Sequence, residues 1–355
     1  MNQVKEKVQV YKRYLEMYLI IFSGLAHKFP EVRIYEPFAG NGKEKFYDKS
    51  GDFFEGSVKV AIPIIEKKLA EQSSNKINIQ YFVNDNDPNK YEELQTNFNI
   101  AGREWLHISK LDARQFIHNH LSNKNKNIPS LWFIDPYGYT QVDKSDFKNI
   151  YLESRSDIII FIPTHFITRF LGKQDSEQQE PIKKLLEIWD IDIEKARQSK
   201  GVPEFEKLLV NSLEQSDSRI FVKPYTLDFD SPQNRYSLLF ISKSILAADK
   251  FLESTRRVYK EIRGGLFTDN NPWKITLEQV EYLIRVRPYN NVELYEWGIR
   301  HNLLAPELSQ FIKMLIAQAK IKSKPFNQDA KIRKGSTYIT RDNYQNKVKK
   351  ILFYV

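Results

Sequence analysis

The sequence predicts an α/β protein: a mostly parallel sheet wrapped by helices, followed by a smaller basic α+β unit. Three observations carry this. An apolar run, Val32, Ile34 and Tyr35, breaks abruptly at Glu36-Pro37-Phe38-Ala39-Gly40-Asn41-Gly42, a strand running into a glycine turn. Further strand-length apolar runs alternate with helical stretches, and three of them end at an acidic residue, Asp85, Asp112 or Asp135. The charge is uneven: of a net +9 over 355 residues, residues 301–355 contribute 11 Lys/Arg against 3 Asp/Glu, a balance of +8.

In chain order, Val8, Tyr11, Tyr14, Leu15, Tyr18 and Leu19 recur at spacings of three and four, predicting a helix from Val4 to Phe29 that Pro30 stops. Gly56-Ser57 starts a second helix to about Glu71, with Pro63 as a kink. Ile77 to Asp85 is the second strand, and Asp87-Pro88 caps the helix after it. Trp105 to Leu111 is the third strand. Ser130 to Ile134 is wholly apolar, so central and buried on both faces, and delivers Asp135-Pro136-Tyr137-Gly138. Asp157 to Pro163 is the fifth strand. Residues 166–215 form a charged helical insertion, and Arg219–Phe229 and Tyr236–Lys243 close the sheet as a hairpin. Gly264-Gly265 and Asp269-Asn270-Asn271-Pro272 mark a linker, dividing the chain into 1–263 and 264–355. Beyond it, helices at Thr276–Val286, Val292–Ile299 and Pro306–Ala319 and a basic hairpin at Lys320–Thr340 predict a winged-helix-like domain.

With 41% hydrophobic and 13% aromatic residues the chain can bury a sizeable core. It has no cysteine, which excludes disulfides and thiolate chemistry and suits a reducing compartment. The apolar run Leu15–Ala26 is too short and too interrupted to span a bilayer, so a cytoplasmic protein without a membrane partner is expected.

In an open α/β sheet the carboxyl ends of the strands line the ligand crevice, and the predicted motifs all fall there. Gly40 and Gly42 admit unusual dihedrals and a close approach of backbone to ligand. Asp85, at the end of the second strand, is placed to accept the ribose hydroxyls of a nucleoside cofactor. Proline-Phe-Ala-Gly-x-Gly resembles the first-strand loop of S-adenosylmethionine (SAM)-dependent methyltransferases. Together with Tyr11-Lys12-Arg13-Tyr14-Leu15-Glu16, Gly56-Ser57-Val58 and Phe133-Ile134-Asp135-Pro136-Tyr137-Gly138, the chain resembles the three-Cys-motif partner (TcmP) family over about residues 8–245. Adenine-N6 rRNA methyltransferases belong to the same wider group.

The resemblance implies a Rossmann-like methyltransferase sheet with SAM as cofactor. Glu36, Pro37, Phe38, Ala39, Gly40, Gly42, Asp85 and Asp112 would bind it, Asp112 through the adenine amine. It implies that Asp135 and the Pro136 carbonyl accept the two hydrogens of a target amine while Tyr137 stacks on the base. It also implies a bacterial source and a three-cysteine-motif protein as partner. Two departures are visible: Glu36 stands where Asp is common, and Asp135-Pro136-Tyr137 has one proline where the amine motif has two.

The expected function is methylation of nucleic acid at an exocyclic amine such as adenine N6. The alternative is a non-enzymatic nucleic-acid-binding or partner module on the same fold. A metal enzyme using Asp85, Asp87, Asp112 and Asp135 is a third reading, although the glycine loop would then have no role. The nucleic-acid contacts are expected from Lys320, Lys322, Lys324, Lys331, Arg333 and Lys334, with charge outweighing base stacking.

Overall fold

The computed structural model describes the chain except residues 1–2, 43–45, 48–52, 72–75, 99–100, 123–126, 137–141, 143, 154, 172–178, 228–235, 265–274 and 328–331. It separates into two compact units, 1–247 and 248–355.

The first unit is built on a seven-stranded sheet: β1 Glu31–Glu36, β2 Asn78–Asn84, β3 Leu106–Ser109, β4 Ser130–Ile134, β5 Ser156–Ile162, β6 Phe221–Leu227 and β7 Tyr236–Ser242. Their order across the sheet is β3-β2-β1-β4-β5-β7-β6. The first five are parallel, and β7 pairs antiparallel with both β5 and β6. This is the Rossmann-like arrangement, with the order reversing between the adjacent strands β1 and β4. All five residues of β4 are buried, as its apolar run predicts.

Helix α1 (Gln3–Gly24) lies on one sheet face. Its stripe of Val8, Tyr11, Tyr14, Leu15, Tyr18 and Leu19 is buried, Tyr11 stacks on Phe133 of β4, and Tyr14 meets Phe240 of β7 edge-on. The helix ends at Gly24, five residues before the expected Phe29. Hydrogen bonds from Lys28 N and Phe29 N to the Leu25 carbonyl close a turn there instead. Helix α2 (Ser57–Ala70) packs beside α1 and contains Pro63. The opposite face is aromatic: Tyr35, Phe82 and Trp132 of neighbouring strands stack on one another and meet Phe116 and His120 of the helix that follows β3. Helices α3 (Pro88–Phe98), α4 (Ala113–Ser122) and α5 (Lys144–Glu153) connect the strands, and α6 (Thr164–Leu171), α7 (Gln179–Ile188), α8 (Ile193–Arg197) and α9 (Val202–Ser216) form the helical insertion between β5 and β6.

The boundary between the units falls near the start of α10 (Ile245–Arg263), not after it at the expected position 263/264. The reason is a set of polar ties. Asp249 of α10, 3% exposed, accepts from Tyr295 Oη at 2.5 Å and from Arg341 Nε at 2.6 Å. Glu253 accepts from Arg341, and Arg256 pairs with Glu307 at 3.0 Å.

The second unit continues with α11 (Leu277–Val286), β8 (Tyr289–Asn290), α12 (Asn291–Arg300), α13 (Ala305–Ala317), β9 (Lys322–Pro325), α14 (Arg341–Gln345) and β10 (Ile351–Tyr354). Thr276 and Asn290 cap α11 and α12, each in a reciprocal box with the residue three positions on. The expected hairpin within Lys320–Thr340 does not form among the described residues. Instead β9 pairs antiparallel with β10, the last strand of the chain, in a sheet ordered β8-β10-β9. Arg333 and Lys334 enter a turn at Gly335, whose φ is +77°. Residues 332–340 also bury Thr337 and Ile339, but left-handed backbone at Gly335 and Tyr338 (φ +77° and +53°) breaks their run, whereas Ile351 and Phe353 give β10 a buried face on unbroken extended backbone.

Candidate functional site

The parallel strands end on one rim, and on both sides of the β1/β4 switch point that rim carries the residues singled out in the sequence. The turn after β1 leaves the sheet through Gly40 and Gly42, both in the left-handed region at φ +63° and +68°. Asp85, just past β2, is 8% exposed. Its Oδ2 accepts the Gly40 N–H at 2.9 Å and its Oδ1 accepts the Asp87 N–H at 3.0 Å. Asp85 therefore holds the glycine turn against the second strand, and each oxygen keeps a lone pair for a further donor. Asp87 caps α3 by accepting from Asn89 N at 2.8 Å, as expected.

Gly42 has a different reason from the expected ligand approach. A Cβ there would lie 2.3 Å from a ring carbon of Phe98 and 2.8 Å from Leu94, so the bare backbone is required by α3 packing on the loop. Glu36 is also not open to a ligand. It is 1% exposed and accepts from Ser57 Oγ at 2.6 Å, Tyr11 Oη at 2.7 Å and Tyr81 Oη at 2.5 Å. Burial pushes its carboxyl up from the ordinary value, against the pull of those three hydroxyls. Pro37 and Ala39 are buried and Phe38 is half-buried, and Ala39 N donates to the Asn84 carbonyl. Asp112 is exposed at the start of α4, accepting from Arg114 N at 2.9 Å.

Across the switch point, Asp135 forms an ion pair with Lys7 of α1. The Lys7 side chain is 9% exposed, and its ammonium stands 4.5 Å from the centre of the Phe161 ring on β5. Pro136 lines an apolar cleft with Phe147, Phe161, Pro163, Ile188 and Trp189. The indole Nε1 of Trp189 is buried with no hydrogen-bond partner among the described residues. Tyr137 lies outside the described residues.

Two residues of this rim were missed in the sequence. Lys7 reads there as one more surface charge of an amphipathic helix, although it is adjacent to Val8 at the edge of the buried stripe. Asn84, fully buried, joins three segments: its Nδ2 donates to the carbonyls of Pro37 and Leu111, and its Oδ1 accepts from Leu111 N and Ser109 Oγ. A polar residue one position before the strand-end acid is its only sequence signal.

Of the six expected phosphate contacts, Lys322 and Lys324 stand exposed on β9, and Arg333 and Lys334 are exposed at the turn. Lys320 is paired with Glu281 at 2.9 Å, and Lys331 is outside the described residues. Among the described residues no three His, Asp or Glu side chains converge as metal ligands would. Among the described residues no helix is long and apolar enough to cross a membrane.

No family model matches the chain, and no curated protein matches it. Several solved structures are similar. A Legionella pneumophila protein of the DUF519 family model is 12% identical, the match covering 74% of this chain and 94% of that one at a TM-score of 0.46. An O-methyltransferase from Bacillus cereus, solved in complex with SAH, is 9% identical, covering 65% and 80% at a TM-score of 0.37. The Methanococcus jannaschii fibrillarin pre-rRNA processing protein is 13% identical, covering 61% and 68% at a TM-score of 0.31. Likenesses this distant carry no argument about the reaction, which has to come from the chain's own rim.

Proposed function

We propose that the protein is a SAM-dependent methyltransferase acting on nucleic acid at an exocyclic amine such as adenine N6. One observation carries the reading: the glycine turn, Asp85 and Asp112 stand on one side of a sheet's switch point, and Asp135-Pro136 stands on the other. The donor set fits the cofactor. Asp85 keeps acceptor capacity toward ribose hydroxyls, Asp112 has an exposed carboxylate for an amine, and the turn around Gly40 presents backbone at the crevice. Bound SAM supplies a methyl group on an electron-poor sulfonium.

The chain's own residues would do the rest by positioning. Asp135 and the Pro136 carbonyl accept the two hydrogens of the target amine, which turns the nitrogen lone pair away from them and into the crevice. After transfer the nitrogen sheds one proton, and Asp135 is the base in reach. Tyr137 stacks on the base, and a paired base has first to be swung out of its duplex. From α11 to β10 the second unit runs helix–strand–helix–helix–strand–helix–strand, an order that supports a winged-helix-like reading in which this unit would supply the nucleic-acid surface.

The ion pair from Lys7 to Asp135 favours a second reading, a binding module whose amine-accepting carboxylate is permanently occupied. Calorimetry with SAM, followed by mass spectrometry of nucleosides from RNA and DNA incubated with SAM and protein, separates the two. SAM binding with a methylated adenine supports the enzyme. SAM binding with no methylated nucleoside supports the module, and no SAM binding removes both the cofactor and the reaction.

A further inference from the structure

We infer that the outer face of the β9–β10 ladder binds single-stranded nucleic acid, with Phe326 and Tyr354 as stacking platforms and Lys322, Lys324, Lys349 and Lys350 on the phosphates. The inference rests on the nucleic-acid target proposed above and assigns the contact to the sheet rather than to α13. In the antiparallel register Lys322 faces Tyr354 and Lys324 faces Leu352, and the ladder continues with Phe326 N donating to the Lys350 carbonyl at 3.0 Å. Paired residues of an antiparallel ladder share a face. Lys322, Lys324, Phe326, Lys350, Leu352 and Tyr354 therefore stand together, while Ile351 and Phe353 point into the core.

This face is open and basic. Lys322 and Lys324 are exposed, Phe326 is 36% exposed, and Lys350, Leu352 and Tyr354 are partly so. Among the described residues no carboxylate lies within ion-pair distance of Lys322, Lys324, Lys349 or Lys350, whereas Lys320 beside them is taken up by Glu281. Two of the lysines lean on the aromatics: Lys324 Nζ is 5.3 Å from the Tyr354 ring centre, and Lys349 Nζ is 5.3 Å from that of Phe326. A face alternating unpaired cations with half-open rings matches a polyanion whose bases carry π-faces.

The spacing selects a single strand. Phe326 and Tyr354 stand four residues apart along the ladder, about 13 Å at 3.3–3.4 Å per residue. Neighbouring bases in a duplex are 3.4 Å apart and already stacked, so they cannot sit on separate platforms this far apart. A strand with splayed bases can. The exposed side of α13, which would enter a groove in the alternative, offers Met314, Ile316 and Ala317 with Lys313 as its one cation at that end.

The test titrates full-length protein with fluorescein-labelled dT12, U12 and a 12-base-pair duplex at two salt concentrations. The parent chain is compared with F326A/Y354A, F326Y/Y354F and K322Q/K324Q, each checked by circular dichroism for an unchanged fold. We expect the single strands to bind more tightly than the duplex. F326A/Y354A should weaken single-strand binding by about 10- to 100-fold, F326Y/Y354F should retain it, and K322Q/K324Q should flatten the salt dependence. Equal single-strand affinity in folded F326A/Y354A overturns the inference, as does a preference for duplex; both leave the nucleic-acid reading standing. A parent chain that binds none of the three probes overturns this inference, and the nucleic-acid target with it.

Discussion

Asp85 and Asp135 are both acids at strand ends, and their surroundings give them different work. Asp85 anchors the glycine turn through Gly40 N, so Asp85→Ala removes a ligand acceptor and a loop tie together. SAM affinity should fall by roughly 1–3 kcal/mol in calorimetry. Asp85→Asn keeps one acceptor oxygen and should lose less, and unchanged affinity in both variants would take Asp85 out of the site. Asp135 is tied instead to Lys7, which is nearly buried. Asp135→Ala should abolish methyl transfer with SAM binding retained, and it should also lower stability because the Lys7 ammonium loses its acceptor. Asp135→Asn retains an acceptor and separates these effects: a stable but inactive variant assigns the charge to the reaction, normal transfer in it refutes only the base role, and normal transfer in Asp135→Ala refutes the amine alignment.

At the scale of elements, the turn after β1 is held by α3 as much as by its own residues. Gly42→Ala forces a Cβ onto the Phe98 ring and places an ordinary residue at φ +68°. Left-handed backbone costs about 1–2 kcal/mol and overpacking about 1–3 kcal/mol, so denaturant unfolding of the first unit should show a loss of a few kcal/mol. A loss below about 0.5 kcal/mol would mean α3 shifts freely. Helix α10 makes a second case. A fragment of residues 248–355 keeps the ties from Asp249, Glu253 and Arg256 to Tyr295, Arg341 and Glu307, and a fragment of residues 264–355 loses all of them. The longer fragment should melt cooperatively and at higher temperature. Equal melting would show that α10 is dispensable.

For the whole molecule, two titrating groups on opposite sheet faces set opposing pH dependences. Burial pushes the Asp157 carboxyl from 3.8 up to about 6, although Tyr14 Oη and Ser242 Oγ donate to it at 2.8 and 2.6 Å. The native state then holds this proton longer than the unfolded chain, so the group's contribution falls as pH rises from 3.8 to about 6. His120 runs the other way. Burial, with help from Arg33 and His107, lowers it from 6.5 to about 4, so the unfolded state binds the proton first and stability falls as pH drops through that window. Asp157→Asn should remove only the first effect. Relative to the parent, its unfolding free energy should improve by about 1–2 kcal/mol between pH 4 and pH 7, the lower part of the range because the residue keeps some contact with solvent. Urea titrations at both pH values measure this, and a flat difference would show that Asp157 ionises normally in the fold.

Local sequence was sufficient for the seven strands of the first unit's main sheet and for the rim on which its motifs lie, but not for the short pairing of Phe46–Tyr47 with Phe53–Phe54 or for α5. Strand-length apolar runs, the α1 stripe and the glycine turn are short-range patterns, and parallel connection by helices puts the carboxyl ends of β1 to β5 on one side. Local sequence also marked Asp87 as a cap, because an Asx before Pro satisfies its own helix start. Tertiary structure decided what each polar group faces. Glu36 reads as a motif residue, yet its saturation by Tyr11, Ser57 and Tyr81 depends on three segments meeting under α2. Lys7 reaches Asp135 across 128 positions of chain, a separation no local pattern encodes. The partner of β9 was decided in the same way: residues 332–340 are nearer in sequence, but left-handed Gly335 and Tyr338 interrupt them, and Ile351 and Phe353 bring a buried face on an unbroken strand. Backbone period is set by neighbours a few residues away, whereas burial, ion pairing and strand partnership are set by whichever distant surface supplies the missing complement.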